Sequence, residues 1–283
     1  MTQHKRDMTA AEFRSAPFRA VTLLGMSGSG KTTLASKLPK NRWFHYSGDY
    51  RIGTRYLDQP ILDNINNEAM KVPFLANLLR SDSISICHNI TINNLAPIAS
   101  YLGMVGDSAR GGLSVEEFKR RQGQHRDAEI AAMYDVRSFI NKTRETYGYP
   151  NFVNDSGGSL CELEEPDVIR QLAEDTLIIY LRPSEELLDQ IIERSLQNPK
   201  PMYYQEAFLD KVLPQYLSEQ GLETPDQIDP SDYFRWIFPR LVEHRLPLYE
   251  SIARDYGVVV QADQIDAIQG EEEFLDLVSD SLT

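Results

Sequence analysis

The stretch Gly25-Met26-Ser27-Gly28-Ser29-Gly30-Lys31-Thr32 constrains this chain more than any other. Before it runs Ala20-Val21-Thr22-Leu23-Leu24, a short apolar segment of the kind that forms a buried parallel strand. After it, residues 32–38 are helix formers, with Leu34 and Leu38 four apart. Strand, glycine-rich turn and helix in that order make a phosphate-binding loop. Gly25, Gly28 and Gly30 let backbone N–H groups, that of Ser29 included, turn inward around phosphate oxygens, and the helix directs its positive end at them. Lys31 is then placed to reach the β- and γ-phosphates and Thr32 to hold Mg²⁺, with Thr33 completing the nucleotide-binding run. ATP and Mg²⁺ are the cofactors this pattern implies.

Bulk properties narrow the setting. A chain of 283 residues accommodates two domains, or one α/β domain with insertions. No stretch approaches the roughly 20 apolar residues of a membrane span, and the polar first 18 residues lack the apolar centre of a signal peptide, so a cytoplasmic protein is expected. Cys87 and Cys161 are too few for a disulfide framework or zinc site and read as apolar filler. A net charge of −13 argues against nucleic-acid and anionic-membrane partners, because a phosphate backbone would be repelled over most of the surface. Local cations in a cleft can still hold an anionic ligand, since screening acts within about 8 Å at physiological salt.

Along the chain, residues 1–18 read as a loosely ordered lead-in and 20–25 as the first strand. Residues 43–46 form the second strand, ending at Ser47-Gly48-Asp49. No strand of the main sheet is expected between 51 and 110, although 83–92 alternates cleanly enough for a strand or hairpin. Residues 114–146 read as one long helix with a capping-box start, Ser114-Val115-Glu116-Glu117. Strands follow at 152–155, 176–181 and 257–260, with helices at 184–195, 241–256 and 271–282, and 199–240 is helical in pieces. Strands separated by helices imply an α/β fold with a parallel sheet and helices on both faces. The aromatic run Tyr233 to Phe238 reads as core, and the histidines share no zinc-ligand spacing.

The order of motifs resembles the shikimate kinases and the wider nucleoside-monophosphate-kinase-like group. The resemblance rests on Gly25 to Thr33, on Ser47-Gly48-Asp49 where that group has an Asp-x-Asp, and on the 112–129 segment. Ser156-Gly157-Gly158 resembles a triple glycine after the third strand, and Arg245-Leu246-Pro247-Leu248-Tyr249 resembles an Arg-x-Pro-Leu-Tyr segment. It implies a P-loop NTPase fold with a five-stranded sheet in the order 2-3-1-4-5. The whole chain, 1–283, is then one kinase-like domain with an acceptor-side insertion at 52–111 and a lid-like insertion at 196–240. Ser47 and Ser156 depart from the group's residues, and both insertions exceed what its compact members contain.

The same resemblance assigns roles. Asp49 orients or deprotonates an acceptor hydroxyl; Arg126, Arg245, Gly157 and Gly158 bind an anionic acceptor, a task suited to the planar guanidinium fork. Arg194 and Lys200 resemble a base-stacking cation and a catalytic lid cation. Apart from the resemblance, Asp155 ends the third strand and is expected to act through Mg²⁺-bound water, since the metal takes carboxylate, hydroxyl and water oxygens. The expected activity is transfer of the γ-phosphate of MgATP to a hydroxyl of a small, anionic molecule. The competing expectation is an ATPase or nucleotide-gated regulator whose insertions contact a protein partner.

Overall fold

The computed structural model describes residues 5–282. Five strands form one fully parallel sheet: β1 (Arg19–Leu24), β2 (Trp43–Ser47), β3 (Asn151–Asp155), β4 (Leu177–Arg182) and β5 (Gly257–Gln261). Their order is β2-β3-β1-β4-β5, as expected from the sequence. Leu23 pairs with Asp155, Asp155 with Ser47 and Leu24 with Tyr180, so the carboxyl ends of the central strands share one edge. Ligands bind at that edge in sheets of this kind, where strand order reverses.

Alternation along the strands sends side chains to two covered faces. On one, Val21, Leu23, Trp43 and Val153 join Leu34 of the helix Lys31–Lys37 and Phe274 of the helix Glu271–Ser279 in a single core. Trp43 and Phe274 meet edge to face, with ring centroids 5.3 Å apart. On the other face, Phe44 and Tyr46 pack on Phe139 of the helix Val115–Glu145, and the Tyr46 hydroxyl donates to the Ala132 carbonyl at 2.6 Å. Thr22, a polar residue inside β1, shares a 2.8 Å hydrogen bond with Thr176 and accepts one from Asn154 Nδ2 at 3.2 Å. Each of the large buried side chains contributes about 1.5–3 kcal/mol by leaving water.

The chain divides into two compact units. The first comprises the residues up to Gly48, Glu129–Pro199 and Phe234 onward, and contains the sheet; the second comprises Asp49–Ala128 and Lys200–Tyr233. The second unit is helical, with Asp58–Met70, Pro73–Arg80, Ala96–Leu102 and Glu206–Gln220 as its main elements beside the start of the long helix. Buried Arg121 ties three of its helices together, donating to Glu117 Oε1 (2.7 Å), the Tyr101 carbonyl (2.6 Å) and Asn64 Oδ1 (2.8 Å).

Three local expectations are corrected. Of the expected lead-in, residues 1–4 lie outside the described residues; in the rest, Thr9 and Glu12 form a capping box on the helix Ala10–Ser15, which sends Phe13 into the core. Residues 83–92 hold no strand, and the sole bridge there joins Thr91 to Asn94. Ile84, Ile86, His88 and Ile90 do face inward, so the alternation recorded one covered side of an extended segment with no strand beside it. The last long helix begins at Pro230 and passes through Pro239 and Pro247, where the sequence suggested a start at 241.

Candidate functional site at the carboxyl edge of the sheet

The loop between β1 and the helix Lys31–Lys37 is built around its glycines. Gly30 caps the helix with φ +93°, a left-handed conformation, and a Cβ there would lie 2.9 Å from Ile265 Cδ1. The first helical hydrogen bond runs from Leu34 N–H to the Gly30 carbonyl at 2.8 Å. Lys31 is 7% exposed, and its ammonium donates to the carbonyls of Gly25 (2.6 Å) and Met26 (3.0 Å), which curls the side chain back over the loop. The Ser29 hydroxyl is buried without a hydrogen-bond partner among the described residues.

Next to the loop, Thr32 Oγ1 donates to Asp155 Oδ2 at 2.7 Å. The register explains the meeting: Asp155 ends β3, the strand adjacent to β1, so its carboxylate reaches the first turn of the helix that β1 feeds. His45 of β2 points to the same carboxylate, with Nε2 3.5 Å from Asp155 Oδ2. A hydroxyl and a carboxylate are hard oxygen donors. Among the described residues no group of three or more His, Cys, Asp or Glu side chains is placed to hold a metal ion.

A cleft of about 390 Å³ adjoins the loop, lined by Gly28, Ser29, Gly30 and Thr33 on one side and by Gln190, Arg194 and Asp266 among others. Arg194, exposed, stands on the helix Glu185–Gln197. That helix is fixed at its start by Ser184, which caps it while donating through Oγ (2.6 Å) and N–H (3.1 Å) to Asp263. These bonds hold the Asp263 carboxyl below its ordinary range.

The turn after β3 carries Ser156, Gly157 and Gly158. Ser156 Oγ donates to the Leu23 carbonyl at 2.7 Å. A Cβ on Gly158 would stand 3.0 Å from the Ser27 amide nitrogen, so the turn lies directly on the phosphate loop and only glycine fits without displacement. Beyond it, Glu162 is completely buried and meets Arg245, whose Nε and terminal nitrogen both donate to Glu162 Oε2, at 2.8 and 2.5 Å. Burial works against the Arg245 charge, but Glu162 holds its pKa above the ordinary arginine value. His244 Nε2 lies 3.4 Å from the second Glu162 oxygen. A second buried carboxylate, Glu129, accepts from Ser159 Oγ at 2.5 Å.

Within the first unit the structure therefore brings together Gly25, Gly28, Ser29, Gly30, Lys31, Thr32, Thr33, Asp155, Gly158 and Arg194. Arg245 is a member of that unit with its guanidinium fork on Glu162. Asp49, at the start of the helical turn Gly48–Arg51, Arg126 on the long helix, and exposed Lys200 belong to the second unit. Arg126 stands 3.6 Å from the neighbouring Asp127 carboxylate. Sequence reasoning missed Glu162, His45 and Asp263. His45 carried a usable signal, two residues before Ser47 on the strand expected beside β3; Glu162 and Asp263 carried none.

No helix among the described residues is long and apolar enough to cross a membrane. No family model and no curated protein matches this chain. Among solved structures, it is similar to a shikimate kinase from Bacteroides thetaiotaomicron at 16% identity, covering 88% of this chain and 93% of that one, with a TM-score of 0.37. It is also similar to a shikimate kinase from Acinetobacter baumannii in complex with shikimate, at 14% identity, 84% and 99% coverage, and a TM-score of 0.34. Likeness at this level concerns the α/β fold alone; the chemistry rests on the residues.

Proposed function

We propose that this protein is a P-loop phosphotransferase that moves the γ-phosphate of MgATP to a hydroxyl of a small molecule. The observation that carries the reading is the meeting of Thr32 and Asp155 beside the Gly25–Lys31 turn: a hydroxyl and a carboxylate at the open edge of the sheet, next to a curled lysine. Phosphoryl transfer asks little covalent chemistry of a protein; it needs the reacting groups in line and their charge neutralised. In this reading Lys31 leaves the Gly25 and Met26 carbonyls for phosphate oxygens, and the loop N–H groups hold the rest of the anion. Thr32 and Asp155 hold Mg²⁺, which when bound draws charge from the transferring group. Arg194 packs on the nucleoside in the 390 Å³ cleft.

Asp49 takes the acceptor role assigned from sequence, as the group that orients or deprotonates the hydroxyl. Arg245 keeps a formal place in the acceptor set, although its fork is engaged by Glu162; Arg126, Gly157 and Gly158 keep the acceptor roles that the resemblance gave them. Lys200 serves as the lid cation. A second reading, an ATPase or nucleotide-gated regulator, draws on the surface of the second unit, where Val72 and Phe74 are 47% and 70% exposed and suit a protein partner. Incubation with γ-labelled ATP, Mg²⁺ and pools of hydroxylated small molecules separates the two. Label in an acceptor supports the kinase; label only in inorganic phosphate, at a rate no pool changes, supports the second reading.

A further inference from the structure

Arg245 and Tyr249 lie one turn apart on the helix Pro230–Tyr256 and therefore face the same way. Both grip one turn of chain. Fully buried Tyr249 donates its hydroxyl to the Gly158 carbonyl and stacks its ring on Tyr180 of β4, centroids 5.5 Å apart. Arg245 holds Glu162 at the other end of that turn. Ser156 ties the start of the same segment to the Leu23 carbonyl of β1. The turn so fastened rests on the phosphate loop at Ser27, where a methyl group at 158 would stand 3.0 Å from the amide nitrogen.

From this geometry we infer that Tyr249 and Arg245 are positioning residues for the phosphate loop: through the 158–162 turn they set the backbone of residues 25–31. The direction of those N–H groups decides how well a loop of this kind holds an anion, so a helix without phosphate contacts of its own tunes nucleotide affinity. Glu162 supplies the anion that the Arg245 fork requires, which gives the arginine a partner from within the chain. The inference rests on the nucleotide-binding reading only for its consequence, since the packing itself involves no ligand.

Tyr249→Phe is the direct test, because it removes one hydroxyl and keeps the ring stacked on Tyr180. Hydrogen exchange in the free full-length protein should accelerate about five-fold in peptides covering 25–33, the size set by one buried hydrogen bond, and stay unchanged in peptides covering β4 and β5. MgATP should bind several-fold more weakly to the variant. Gly158→Ala pushes on Ser27 from the same side and should give the same local signature, which decides the matter should Tyr249→Phe not fold. Unchanged exchange at 25–33 in a folded variant, or acceleration spread evenly over the sheet, overturns the positioning role. Wild-type protein that binds no MgATP would instead overturn the proposed function, with the exchange result still deciding the packing.

Discussion

Replacing Arg245 by Met tests the buried pair most sharply. Arg245 is 3% exposed and the Glu162 side chain fully enclosed, so Met leaves a carboxylate that has lost two hydrogen bonds at 2.8 and 2.5 Å and cannot reach water. Breaking one side of a buried pair costs about 3–5 kcal/mol, against a total stability of about 5–15 kcal/mol for an ordinary domain. Urea unfolding followed by circular dichroism should therefore show a midpoint lowered by about a fifth or more. Glu162→Met should also destabilise, by removing the carboxylate that faces the buried Arg245 charge. The double variant, which buries two apolar side chains of comparable length, should recover most of the loss, since apolar replacement of both partners is often neutral or stabilising by about 1–4 kcal/mol. A single-variant cost below about 1 kcal/mol, or losses that simply add in the double variant, would refute the argument.

Thr32→Val keeps the shape of the side chain and removes the bond to Asp155, and should weaken Mg²⁺-dependent nucleotide binding by about ten-fold while metal-free binding changes little, measured by titration with and without chelator. Burial pushes the Cys161 thiol from near 9 up to about 12, with the Glu162 and Glu129 charges acting in the same direction and Arg245 against them. At pH 8 a chromogenic disulfide reagent should accordingly react fast with exposed Cys87 and slowly with Cys161 until the protein is unfolded. Because the folded pKa is raised, the stability tied to this thiol is fully present below the ordinary thiol range and is lost as pH climbs through about 12, which an alkaline unfolding series will show. If 52–111 and 203–240 cover an acceptor, hydrogen exchange should slow in both segments together on adding MgATP with a productive acceptor, and in neither with MgATP alone.

The sheet was legible because its strands are short apolar runs buried on both faces and its helices stop at recognisable signals. Ala20 to Leu24 and Thr176 to Leu181 left little else for those residues to be. Ser184 likewise announced the helix it caps through Leu187 N–H at 3.1 Å. Legibility failed where a residue's meaning came from a distant partner. Nothing near Glu162 in the chain says that it will meet Arg245, 83 residues later, and so an arginine suited to an anionic ligand was read without its internal anion. The helix Pro166–Asp175 went unread because its apolar stripe is short and it opens on a proline that also fits a turn. Residues 83–92 misled because burial of one side produces period-two alternation whether or not a neighbouring strand is present. The placement of Asp49, Arg126 and Lys200 in a second compact unit was equally invisible, since its two parts, Asp49–Ala128 and Lys200–Tyr233, are separated in the chain and join only through tertiary packing.

Calorimetric titration of MgATP into wild-type protein and into Lys31→Ala bears most directly on the central claim. Lys31 is the charged end of the loop and its removal alters no glycine, so the variant should fold as the wild type does. Saturable binding to wild type in the micromolar range, reduced at least 100-fold in Lys31→Ala, is the expected result for a loop that holds nucleotide phosphates. Equal affinity in the two proteins, or no heat of binding in either, would contradict it.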